Sequence, residues 1–93
     1  MNTTVNQTKV SEVQIVPIRP QDGLIAFASC VLDGKFFLGS IGIYTKLAGG
    51  YRITFPTKKA GSSLNVSIFN PITKEACMAI TEGIINKAVD LFG

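Results

Sequence analysis

The sequence predicts an α+β domain: an antiparallel sheet of four to five strands in a meander, followed by one C-terminal amphipathic helix. Three observations predict it. Extended, β-prone segments fill the chain from residue 10 to residue 69 and are separated by the turn signals Asp22-Gly23, Asp33-Gly34 and Gly49-Gly50. Asp-Gly between two apolar runs is a strong local hairpin signal, because both turn positions need positive φ. Helical periodicity then follows Asn70-Pro71. Strands grouped ahead of a single helix exclude the strand–helix alternation of parallel α/β folds. A chain of 93 residues holds one core. The reading is a single domain over residues 10–93 behind a polar tail, residues 1–9, expected to be flexible.

The elements follow in order. Residues 10–18 are rich in Val and Ile. Pro17 cannot donate to a ladder, so this strand lies at an edge or ends near Val16. Arg19 to Gly23 forms the turn. Residues 24–32 are nearly continuous apolar, which predicts a central strand buried on both faces. Residues 36–45 make a third strand, where Gly39 or Gly42 marks a bulge or a close backbone approach. After Ala48-Gly49-Gly50, the inward residues Tyr51, Ile53 and Phe55 alternate with outward Arg52 and Thr54, and Pro56 ends that strand. Residues 57–63 read as a basic loop of small residues, and residues 64–69 as a short fifth strand. Thr73 is a suitable helix N-cap, with Asn70 ahead of Pro71 as the alternative. Glu75 then falls in the first turn, where the macrodipole favours it. Cys77, Ile80, Ile84, Ala88 and Leu91 form an apolar stripe that Ile85 and Phe92 widen. One helix covers one face of a sheet. The other face, or an edge, is polar or meets a partner, and for so small a core a homodimer is physically attractive.

Composition removes several functions. There is no histidine, so the commonest neutral-pH general base and the commonest metal ligand are missing. Cys30 and Cys77 lack the CxxC spacing of redox and zinc sites and sit in apolar runs. They read as small buried hydrophobes, with a redox pair or disulfide as the alternative. The carboxylates Glu12, Asp22, Asp33, Glu75, Glu82 and Asp90 are scattered over strand, turns and helix. No spacing suggests acid–base work. We expect no enzyme, no cofactor, no metal and no small-molecule substrate. The polar start shows no secretory h-region and no apolar run reaches a membrane span, so a cytoplasmic location without membrane association is expected.

The formal charge of +3 conceals an asymmetry. Residues 34–74 contain no Asp or Glu but hold Lys35, Lys46, Arg52, Lys58, Lys59 and Lys74. A segment of one sign creates a field that attracts a polyanion; solvated lysines pointing several ways would account for the same composition. Lys58 and Lys59, beside Gly61, Ser62 and Ser63, are the first candidates for phosphate contact. Arg52, on the outward side of its strand, could meet phosphate, a base edge or a surface carboxylate. Lys74 lies at the helix N-terminus, where anions gather. Lys46 and Lys35 lie at strand ends. Tyr44 near Lys46 and Tyr51 beside Arg52 are the aromatics placed to stack on bases; core packing accounts for most of the others.

Several segments together resemble the SpoVG family (stage V sporulation protein G, or septation protein). They are Val10-Ser11-Glu12-Val13 with Arg19, Ala26-Phe27-Ala28-Ser29 with Leu32-Asp33, Phe37 with Ile41-Gly42-Ile43, Phe55-Pro56-Thr57-Lys58-Lys59, and Ile68-Phe69-Asn70-Pro71-Ile72. Phe55 to Lys59 is similar to the family's Met-Pro-Ser-Lys-Arg, and Ile68 to Ile72 stands where the family has Ile-Ala-His-Pro-Ile. The resemblance spans residues 10 to about 92. It implies a small cytoplasmic bacterial protein that dimerises through its sheet, binds DNA and in some members RNA, and affects gene expression, septation or sporulation. It carries the family's basic loop over to Lys58 and Lys59. Thr73-Lys74-Glu75-Ala76-Cys77 departs from the family's Ser-Thr-Arg-Gly-Lys, which implies weaker nucleic-acid affinity or a different target. The rival reading is a protein-interaction module that accepts a partner strand at the sheet edge, without nucleic acid.

Overall fold

A computed structural model describes residues 7–61 and 64–93. It contains β1 (Val10–Gln21), β2 (Leu24–Leu32), β3 (Phe36–Thr45), β4 (Tyr51–Thr54), β5 (Thr57–Ala60), β6 (Leu64–Ser67) and α1 (Lys74–Phe92). The first four strands form an antiparallel meander in the order β1-β2-β3-β4, and β5 and β6 pair only with each other. The α+β class with a C-terminal helix is as the sequence predicts. The fifth-strand segment, however, does not join the sheet. Residues 57–60, expected in a loop, are themselves extended and pair with residues 64–67. The two strands make a hairpin arm whose eight residues are all exposed. The arm stretches the molecule to 47 × 37 × 24 Å with a radius of gyration of 14.2 Å. A compact chain of this length would have a radius of about 12 Å.

Turn chemistry sets the meander. Asp22 and Gly23 adopt φ of 54° and 89°, and Asp33 and Gly34 adopt 54° and 66°, the positive values that tight hairpins need. Asp33 also ties down the chain start, because its Oδ1 accepts from the Lys9 N–H at 2.9 Å. Thr8 donates from its N–H and its hydroxyl to the Glu75 carboxylate at 2.6 and 3.0 Å. Of the expected tail, Thr8 and Lys9 are thus pinned to α1 and to the β2–β3 turn; residues 1–6 lie outside the described residues. β1 is an edge strand, as Pro17 requires, and continues past the expected end to Gln21 through an irregularity after Pro17.

The core lies between the sheet and α1. Ala26, Ala28, Cys30 and Leu32 of β2, Leu38, Ile41 and Ile43 of β3, and Ile80, Ile84 and Ala88 of α1 are buried together. β2 is central as expected, but only one of its faces is buried. Its other face is half-buried and opens most at Phe27, 42% exposed, because the single helix covers one side only. The helix stripe holds at Ile80, Ile84 and Ala88 but not at Leu91, which is 53% exposed. In that last turn the Phe92 ring lies 6.2 Å from that of Tyr51. Thr73 is the N-cap, accepting from the Ala76 N–H at 3.1 Å, a bond that contributes about 1 kcal/mol. Gly83 lowers helix propensity by about 1 kcal/mol. A Cβ there would stand 3.0 Å from Val10 Cγ1, so the missing side chain lets α1 approach β1.

Besides the irregularities after Pro17 and between Leu24 and Ala26, two bulges face each other across β2. In β1 the register shifts between Ser11 and Gln14, and in β3 between Leu38 and Ile41, both beside residues 29–30 of β2. The bulged strands hold Glu12 at φ 49° and Ser40 at φ 57°. The β3 bulge takes in Gly39 together with Ser40, between the Leu38 and Ile41 pairings, and Ser40 carries the positive φ. Gly42 provides the close approach, since a Cβ there would stand 2.7 Å from Thr54 Oγ1.

Cys30 is buried and Cys77 half-buried, and both are free thiols. Burial pushes the Cys30 thiol above its ordinary 9.0, because the folded interior disfavours the thiolate. The native state then holds this proton more tightly than the unfolded chain. Its contribution to stability is full below pH 9.0 and is lost as pH rises through the higher folded value. In a thiol-reagent assay at neutral pH, Cys77 should react at least about tenfold faster than Cys30. Equal rates in the native protein would refute the buried placement of Cys30.

Candidate nucleic-acid interface

All six cations of the carboxylate-free run are exposed. The fold sorts them into three places. Lys46 lies in the β3–β4 turn, held by Lys46 N–H donating to the Gly50 carbonyl and Gly49 N–H donating to that of Lys46, both at 3.0 Å. Arg52 sits on the adjoining strand directly opposite Tyr44, and its guanidinium lies 4.4 Å from the Tyr44 ring centroid. This cation–π contact holds the planar guanidinium over the outer sheet face near Lys46. Lys58 and Lys59 lie on the arm, which leaves the opposite end of β4. Lys74 opens α1, at the end of the sheet that carries the β2–β3 turn and Lys35.

The arm's register decides how Lys58 and Lys59 face. Lys58 pairs with Val66 and Ala60 with Leu64, whereas Thr57 pairs with Ser67 and Lys59 with Asn65. Side chains alternate along a strand and cross-strand partners share a face. Lys58, Ala60, Leu64 and Val66 therefore form one face, and Thr57, Lys59, Asn65 and Ser67 the other. Placing these two lysines in a small-residue loop is thus corrected to a strand, and adjacent position becomes opposite direction. Gly61 begins the arm's turn at φ 76°; Ser62 and Ser63 lie outside the described residues.

Within one chain these five candidate residues do not converge. Arg52 and Lys46 share one end of the sheet, Lys58 and Lys59 occupy the arm, and Lys74 stands apart. Of the two tyrosines considered as stacking platforms, Tyr51 is half-buried against Phe92, while Tyr44 supports Arg52.

The sequence left one sheet face to polar residues or a partner, but did not name the apolar residues that line it. Val16 and Phe27 pair across β1 and β2, and Phe37 follows on β3 opposite Val31. Val16 is 63% and Phe37 75% exposed. With Gln14, Ser29, Gly39 and Ser40 these residues line an open hollow of about 300 Å³. A second hollow, of about 420 Å³, shares Phe37, Gly39 and Ser40 and runs on to Pro56 and Ile68 at the root of the arm. There the Phe55 and Phe69 rings pack 5.6 Å apart, and Ile68 N–H donates to the Pro56 carbonyl at 3.0 Å. The signal was present as alternation within residues 24–32, but an uninterrupted apolar run hides which of its faces the helix covers.

Among the described residues no group of three or more His, Cys, Asp or Glu is placed to hold a metal ion, and no helix is long and apolar enough to cross a membrane. The SpoVG family model matches residues 8–88 of the 93-residue chain. No curated protein matches it.

Proposed function

The chain belongs to the SpoVG family, and from that premise we propose that it is a homodimeric regulator that binds DNA, RNA or both. In this reading it acts in the cytoplasm on gene expression, septation or sporulation, and carries out no catalysis. The observation that carries the reading is the exposure of every cation in a run of 41 residues that lacks a carboxylate. Lys58, Lys59, Arg52, Lys74 and Lys46 are the residues assigned to phosphate contact. Two copies related by a two-fold axis bring the arm of one beside the sheet end of the other, so that clusters separated in one chain track one polyanion. Lysine serves as a point charge on phosphate, and Arg52, held flat by Tyr44, is the group suited to bidentate contact.

One observation favours a second reading, strand addition by a protein partner. β4 is a free edge of four residues without proline, whereas β1 carries Pro17, Pro20 and a bulge, features that guard an edge. Purification at low salt followed by sequencing of the retained nucleic acid separates the two. The nucleic-acid reading expects a bound fraction released by salt, with log affinity falling by about 0.9 per phosphate contact for each decade of salt. A chain that retains a protein but binds neither DNA nor RNA at low ionic strength would overturn it.

A further inference from the structure

We propose that the β5–β6 arm is an exchange arm: its apolar face seats on the outer sheet face of a second copy, and the second copy's arm seats reciprocally on the first. The inference rests on the homodimer reading and deepens it by naming the two surfaces that meet. It starts from an instability. A two-stranded hairpin alone is marginal in water, yet this one projects with all eight residues exposed. Its apolar side is real: Leu64 is 60% and Val66 47% exposed, and Ile68 just beyond them 64%. The outer sheet face has the complementary need, with Val16, Phe27 and Phe37 uncovered around its hollow. The two hollows share Phe37, Gly39 and Ser40 and reach the arm's root, so the apolar track on each copy is continuous from receiving surface to arm. An isologous contact of this kind satisfies both surfaces twice.

Charge sets the same pairing. The arm's apolar face carries one cation, Lys58. Glu12 is the sole carboxylate within β1 to β4, exposed in the β1 bulge next to Ser11, which pairs with Val31, itself the partner of Phe37. Its φ of 49° is uncommon for a non-glycine residue and falls within the bulge. An arm laid over Phe37 and Phe27 directs Lys58 toward the partner subunit's Glu12. Lys59, on the other face with Thr57 and Asn65, then remains turned to solvent and available to phosphate. The exchange thus divides two adjacent lysines between assembly and ligand.

Sedimentation of the full chain, without nucleic acid, tests this. The wild type sediments as a dimer, Leu64→Asp/Val66→Asp and Phe27→Asp each raise the dimer dissociation constant at least about a hundredfold, and Ser67→Asp on the opposite arm face leaves it within about threefold. Circular dichroism reports that each variant keeps its fold. Lys58→Glu weakens the dimer about tenfold and Glu12→Lys in the same chain restores it. Arm amides exchange at least about tenfold more slowly in the dimer than in the diluted monomer. A stable dimer indifferent to the Leu64/Val66 variant overturns the arm exchange while leaving the homodimer reading intact. A monomeric wild type overturns both. Arm protection that appears only on adding nucleic acid also overturns the exchange and makes the polyanion the arm's occupant.

Discussion

Replacing Lys58 and Lys59 together with alanine is expected to lower affinity for a mixed-sequence DNA duplex about tenfold to a hundredfold near physiological salt, while the chain stays folded. Both side chains project from an exposed hairpin and contribute nothing to the buried core. The double variant removes two cations per chain and four per dimer. Each phosphate neutralised contributes about 0.9 to the slope of log affinity against log salt, so the slope should become shallower by about 2 to 4. The lower end applies where Lys59 alone meets phosphate and Lys58 is spent on the dimer contact. A gel shift titrated with salt reads both quantities. Affinity and slope unchanged from wild type would remove the arm from the binding surface.

Ile84→Ala is expected to destabilise the fold by about 3 kcal/mol, within the range for truncating a fully buried aliphatic side chain. Ile84 is 0% exposed at the centre of the single helix–sheet layer. It has no second layer behind it to relax into the space. A chain of this size has a total stability on the order of 5 to 14 kcal/mol, so one substitution removes a large part of it. Val89→Ala, on the exposed side of the same helix at 48%, should stay within about 0.5 kcal/mol. Urea unfolding checks the pair, read as a shift in midpoint at constant slope. A loss below about 1 kcal/mol for Ile84→Ala would mean that α1 does not pack where it is placed.

The meander was legible because its determinants are local. Asp22-Gly23 and Asp33-Gly34 dictate their own backbone angles, and so the bounds of β2 and β3 follow from the residues beside them. Thr73 and Glu75 mark the helix start by the same local chemistry. The arm was not legible. Thr57-Lys58-Lys59-Ala60 has no hydrophobic alternation, and only pairing with residues 64–67 makes it a strand. The glycines of β3 did mark both features: Gly39 lies in the bulge, beside Ser40 with its positive φ, and Gly42 makes the close approach; the β1 bulge at Glu12 carried no such signal. Site residues were legible as charges and not as directions. Burial on a two-sided apolar run such as residues 24–32 cannot be divided by pattern between what a chain covers itself and what an assembly covers.

The paired irregularities beside residues 29–30 of β2 act as a lock on alignment. Sliding β1 or β3 by a single step would carry Glu12 or Ser40 away from the place where its own ladder accommodates the extra residue, and would turn Ile15 or Ile41 out to water. Two such pegs, one on each neighbour, mean that β2 cannot be mis-threaded from either side without both penalties. A meander whose strands are otherwise interchangeable apolar ribbons thereby acquires a single solution.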